Sequence, residues 1–159
     1  MRLASGIAPI VEMLKADVPV SLAVDGSASN DCSNMMLEVR NCMLLQRVLK
    51  TADCITARDA LKVATLGGAK VLGRDDIGLL QPGYEADMVG FRLDSLRQAG
   101  SSTDPLAALV FCAVDTVNFS MVHGETLVEH GKFTRFSDEE LKELVIRQNE
   151  RSRQIYSGQ

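Results

Sequence analysis

The residues best suited to chemistry are Asp25, Ser27, Ser29 and Asn30, which stand together where an apolar run ends. A carboxylate can hold a cation or move a proton, and neighbouring hydroxyl and amide groups can hold a polar ligand. The run is residues 18–24, Val-Pro-Val-Ser-Leu-Ala-Val, and Asp25-Gly26-Ser27-Ala28-Ser29-Asn30-Asp31 follows it. Its apolar residues fall on both faces, as in a strand covered on both sides, and chemistry in such sheets gathers at the carboxyl ends of strands. The alternative is that Asp25-Gly26 is only a hairpin turn. Against that, no second alternating strand follows Gly26, and the next periodic segment is helical. Ser27, Ser29 and Asn30 can face a substrate, or can cap the next helix and satisfy loop backbone.

Helical patterns flank the run. Ile7, Ile10, Val11 and Leu14 form one face before it, and Met36, Leu37, Val39, Met43, Leu44 and Val48 form another from about Asn34. Thr56-Ala57-Arg58-Asp59 reads as a capping box with Asp in place of Glu, opening a third helix that Gly67-Gly68 interrupts or loosens. Beyond it, residues 86–91, 117–122 and 126–129 read as short strands. Pro82-Gly83, Asp104-Pro105, Gly124 and Gly131 punctuate them. A charged amphipathic helix starts near Asp138 with Ser137 as N-cap, and carries Leu141, Leu144, Val145 and Gln148 on one side.

The 159 residues allow one domain or parts of two. A net charge of −4 with no run of Lys or Arg argues against a nucleic-acid partner. No stretch has the roughly 18 apolar residues of a spanning helix, and the first residues lack a signal peptide's apolar region, so a membrane role is not expected. Cys32, Cys42, Cys54 and Cys112 lack C-x-x-C spacing, which suits reduced thiols in a cytoplasm. Met35, Met36 and Met43 are expected in the core, and His123 and His130 in turns or at the surface. Gly67, Gly68, Gly73 and Gly78 fit neither a Walker A nor a dinucleotide pattern.

Three motifs in order carry a resemblance to a family. The first is Ala23-Val24-Asp25-Gly26-Ser27-Ala28-Ser29-Asn30-Asp31. The second is Ala64-Thr65-Leu66-Gly67-Gly68-Ala69-Lys70-Val71-Leu72-Gly73, followed by Ile77-Gly78-Leu79-Leu80-Gln81-Pro82-Gly83-Tyr84-Glu85-Ala86-Asp87-Met88-Val89. The third covers residues 117–132. They resemble the eighth barrel strand and its loop, the return to a small β-sandwich, and its closing hairpin in the metal-dependent amidohydrolases. The branch most similar contains 8-oxoguanine deaminase and the hydroxytriazine aminohydrolases.

The resemblance implies an α/β fold: the last strand and helices of a TIM barrel over residues 1–75, part of a composite β-sandwich over 76–135, and a C-terminal helix over 136–159. It implies that Asp25 is the catalytic and metal-binding aspartate and that Ser27, Ser29 and Asn30 border the substrate. Asp87, before a sandwich strand, takes a structural hydrogen-bonding role. The family's His-x-His pair is not in this sequence. The chain therefore resembles the C-terminal third of a hydrolase that removes an amino group from a purine-like or triazine-like ring. The complete enzyme would hold a divalent metal, zinc or iron, which this chain alone would not bind tightly, and the isolated chain is expected to be inactive. The alternative is a non-catalytic scaffold or assembly module. With Val18, Val20, Leu22 and Val24 only partly covered, up to about 6 to 12 kcal/mol of burial is forfeited, so the chain is expected to be a homo-oligomer or only marginally stable.

Overall fold

The apolar face that begins near Asn34 becomes the centre of the core. The computed structural model describes residues 3–27, 29–30, 32–112 and 114–157. Helix α1 (Ile10–Lys15) is followed by α2 (Met35–Leu49), α3 (Ala57–Ala64), α4 (Leu66–Leu72), α5 (Pro105–Phe111) and α6 (Asp138–Ser157). On α2, Met36, Val39, Cys42 and Met43 are buried against Ile10 and Val11 of α1, Ala57, Ala60 and Val63 of α3, and Val110 of α5. Met36 and Met43 are core residues, as expected.

Side-chain caps start the helices where the sequence placed them. Asn34 Oδ1 accepts from the N–H groups of Met36 at 2.9 Å and Leu37 at 3.2 Å, fixing the start of α2. The capping box is complete at α3: Thr56 Oγ1 accepts from the Asp59 N–H at 3.1 Å, and the Asp59 carboxylate accepts from the Thr56 N–H at 3.0 Å. Ser137 and Glu140 make the same reciprocal pair at α6. Helix α1 lacks a side-chain cap of its own. Buried Gln46 of α2 replaces it, accepting from the Val11 N–H at 3.3 Å and donating to the Ala8 carbonyl at 2.8 Å.

Three expectations are corrected. Residues 18–24 form no β-ladder among the described residues. A strand exists through hydrogen bonds to a neighbouring strand, and among the described residues none pairs with this segment. Val20 is still buried, while Val18 remains exposed. The break between α3 and α4 falls at Thr65, whose hydroxyl donates back to the Leu61 carbonyl at 2.9 Å, and not at the glycine pair. Gly67 has a different purpose: a Cβ there would sit 2.2 Å from the Val20 carbonyl oxygen, so only glycine lets α4 press against the segment that leads to Asp25. Finally, Asp104-Pro105 opens α5, with Asp104 Oδ1 accepting from the Ala107 N–H at 2.9 Å and Pro105 in the first helical position.

A four-stranded antiparallel sheet follows the helices, in the order β1 (Met88–Gly90), β2 (Phe119–Val122), β3 (Glu125–Glu129) and β4 (Lys132–Phe133). Met88 pairs with Met121 and Gly90 with Phe119, and a bulge between Ser120 and Met121 shifts the register to β3. Asp87 Oδ1 accepts from the His123 N–H at 2.7 Å and ties the start of β1 to the β2–β3 turn, the structural role expected of it. His123 and His130 occupy the two hairpin turns with φ of 49° and 50°.

Candidate functional site

Backbone conformation and one hydroxyl place the Asp25 carboxylate. Asp25 adopts a left-handed φ of 64°, which aspartate tolerates better than most residues, while Gly26 keeps a negative or extended φ. A type I′ hairpin needs positive φ at both positions, so the hairpin alternative does not hold. The Gly26 carbonyl instead accepts from the N–H groups of Ser29 at 2.9 Å and Asn30 at 3.0 Å, folding the loop into a tight turn.

Both oxygens of the carboxylate are held. Asp25 Oδ1 accepts from the Gly26 N–H at 2.7 Å and Oδ2 from the Ser29 hydroxyl at 2.7 Å. The Ser29 hydroxyl, and secondarily the Gly26 N–H, favour the charged form and hold Asp25 below the usual carboxylate range. The side chain is exposed, so these bonds orient it more than they stabilise the fold.

Asp25 lies on the wall of a cleft of about 460 Å³ between its loop and α2, in the size range of small-molecule sites. Ser29, Asn30, Cys32, Glu38 and Asn41 share that wall. The structure thus brings Ser29 and Asn30 beside Asp25 and leaves Ser27 exposed outside the cleft lining. Ser29 is turned onto Asp25. Asn30 is anchored by donating from Nδ2 to Glu38 Oε1 at 2.8 Å and accepting the Cys32 N–H at 3.3 Å. Ala28 and Asp31 lie outside the described residues.

Glu38 and Asn41 were not singled out by the sequence. Their signal was available: with Leu45 they recur at helical spacing on α2, on a face other than that of Val39, Cys42 and Met43. Among the described residues no group of three His, Cys, Asp or Glu side chains could hold a metal ion. Asp25 alone is a single hard oxygen donor, which does not make a metal centre. No helix among the described residues is long and apolar enough to cross a membrane.

Relatives place this geometry in a family. The chain is 53% identical over 131 residues to an 8-oxoguanine deaminase of Pseudomonas aeruginosa, covering 82% of this chain and 29% of that enzyme. It is 38% identical over 143 residues to a 5-methylthioadenosine/S-adenosylhomocysteine deaminase of Lawsonia intracellularis, covering 89% of this chain and 32% of that one. The chain therefore spans about a third of the length of the curated relatives it matches. Among solved structures it is similar to an adenosine deaminase from Xanthomonas campestris with bound zinc, with a TM-score of 0.86 and 29% identity over 95% of this chain and 35% of that chain. It also resembles an atrazine chlorohydrolase from Arthrobacter aurescens complexed with zinc, with a TM-score of 0.80 and 34% identity over 89% of this chain and 31% of that chain. The family model for the amidohydrolase family matches residues 1–127, and with these likenesses it establishes that the chain belongs to the amidohydrolase family.

Proposed function

We propose that this chain is the C-terminal portion of a metal-dependent amidohydrolase that releases an amino group from a purine-like or triazine-like ring, in the manner of an 8-oxoguanine deaminase. Residues 1–75 would form the end of its barrel, 76–135 part of its composite β-sandwich, and 136–159 a C-terminal helix. The observation that carries this reading is the Asp25 carboxylate, exposed on a cleft wall with both oxygens held, in a chain 53% identical to a named deaminase. With Oδ1 held by the Gly26 N–H and Oδ2 by the Ser29 hydroxyl, the charged carboxylate has a fixed orientation, which suits a cation ligand that also handles the proton of an attacking water. Ser29 positions it, Asn30 and Glu38 lock the loop to α2, and Cys32 and Asn41 line the space a small heterocycle would enter. Zinc is the metal favoured by the zinc-bound relatives, with iron the alternative. The donors found here do not complete a centre, so the isolated chain is proposed to be inactive.

Release of ammonia from 8-oxoguanine and from 5-methylthioadenosine tests this in two proteins. The isolated chain should show no turnover with added zinc. The same chain joined to the upstream two thirds of the P. aeruginosa relative should turn over one of the two substrates and lose that activity on Asp25→Asn, with an unchanged circular dichroism spectrum. Turnover by the isolated chain, or normal turnover by the substituted fusion, would refute the assignment.

A further inference from the structure

We infer that Glu38 is a positioning residue: through the side chain of Asn30 it holds the turn that aims the Asp25 carboxylate, and neither side chain reads a substrate. None of the described residues from 25 to 33 is buried, so this loop has no apolar anchor of its own. Two of its residues, Asp25 and Ser33, hold left-handed φ of 64° and 44°, a conformation that persists only where the surroundings impose it. Helix α2 supplies the fixed point. Glu38 stands in its first turn beside Val39, a core residue that is 1% exposed. From there Glu38 Oε1 accepts from Asn30 Nδ2 at 2.8 Å, and a bond to a carboxylate is among the stronger kinds.

Asn30 passes the constraint on. Its Oδ1 accepts from the Cys32 N–H at 3.3 Å and from the Cys32 thiol at 3.5 Å, so both ends of the amide are engaged within the protein. Its backbone N–H donates to the Gly26 carbonyl at 3.0 Å, beside the Ser29 N–H at 2.9 Å. That same turn sets the Gly26 N–H and the Ser29 hydroxyl on the two oxygens of Asp25. Releasing Asn30 from Glu38 therefore frees the turn, and the carboxylate loses its fixed direction. Two other roles for Glu38 give different results on substitution. A charge serving the α2 dipole is lost in glutamine as much as in alanine, and an acceptor for a ring is read in KM. The catalytic consequence rests on the deamination proposed above, whereas the latch itself does not.

Amide hydrogen exchange of the 159-residue chain, followed by NMR, tests the latch without metal or substrate. Exchange at the Ser29 and Asn30 amides should quicken about tenfold in Glu38→Ala and less than about threefold in Glu38→Gln, which drops the charge but keeps an Oε1 acceptor. At the Ser29 amide, Asn30→Ala should match Glu38→Ala, and the double variant should add nothing further. Should Glu38→Ala unfold α2, seen as lost protection at Val39 and Met43, Asn30→Ala and Glu38→Gln decide between them. Unchanged exchange in Asn30→Ala, or a tenfold quickening in Glu38→Gln, would overturn the inference. In the fused enzyme described above, Glu38→Ala should lower kcat about tenfold with KM within about twofold, and Glu38→Gln should recover most of the loss. A raised KM at unchanged kcat would make Glu38 a substrate contact and overturn the inference as well. A fused enzyme without turnover refutes the deamination alone, and the exchange rates still decide the latch.

Discussion

Gly67→Ala reverses the sign that helix propensity alone gives. An alanine for glycine inside a helix ordinarily stabilises by up to about 1 kcal/mol, by restricting the unfolded chain. At Gly67 the new methyl would stand 2.2 Å from the Val20 carbonyl oxygen, a backbone atom that no rotamer change can move. To restore ordinary contact, α4 or residues 18–24 must shift by roughly an ångström, and overpacking of this kind costs about 1 to 3 kcal/mol. Taking the upper part of that range against the propensity gain, Gly67→Ala should destabilise the chain by about 2 kcal/mol. The adjacent Gly68 is the control. A Cβ there meets only the Ser21 hydroxyl oxygen at 3.3 Å, a side-chain atom that can rotate away, so Gly68→Ala should be neutral or mildly stabilising. Urea unfolding at fixed protein concentration, followed by far-UV circular dichroism, should move the midpoint down by about 1 M for Gly67→Ala at a slope near 2 kcal/mol/M. Equal midpoints for the two variants, or a rise for Gly67→Ala, would refute the close approach of α4 to Val20.

Gln46→Met keeps the volume but removes both bonds that cap α1, leaving the buried Val11 N–H without a partner; a loss of about 2 to 4 kcal/mol in the same urea titration is expected, and a loss below about 0.5 would contradict the cap. Burial pushes the Cys42 thiol up to about 11, so at pH 8 iodoacetamide should modify exposed Cys32 first and Cys42 only on unfolding, as read by peptide mass spectrometry. The linkage has a definite sign. As pH rises from the ordinary thiol value of 9.0 toward about 11, the unfolded chain releases a proton that the folded chain retains. Stability therefore falls with rising pH across that window, and Cys42→Ala should flatten the slope.

Much of the fold was legible because it is written in short-range patterns. The spacing of Met36, Val39 and Met43, the Thr56–Asp59 and Ser137–Glu140 capping pairs, and the turns at His123 and His130 each depend on residues within a helical turn or a hairpin of one another. Asp25, too, was legible as a carboxylate closing an apolar run, and its loop as a turn that is not a hairpin. α5 was harder to read, because a seven-residue apolar stretch after Asp104-Pro105 fits a buried strand or a helix equally well. Packing against α2 and α3 decided in favour of the helix.

What the sequence determined by itself was the family resemblance, the helix starts and the placing of an acid at the end of residues 18–24. Only the tertiary structure decided what surrounds that acid. Ser29 turns its hydroxyl onto Asp25, and Asn30 reaches Glu38 eight residues away, contacts that depend on how the loop folds over α2. The Gln46 bridge to Ala8 and the contact of Gly67 with Val20 join residues tens of positions apart in the chain. Local propensity carries no information at that range. The difference between a strand and an unpaired segment at residues 18–24 has the same origin. Side-chain pattern sets which residues suit a strand, but a ladder forms only when another backbone lies alongside to supply the hydrogen bonds.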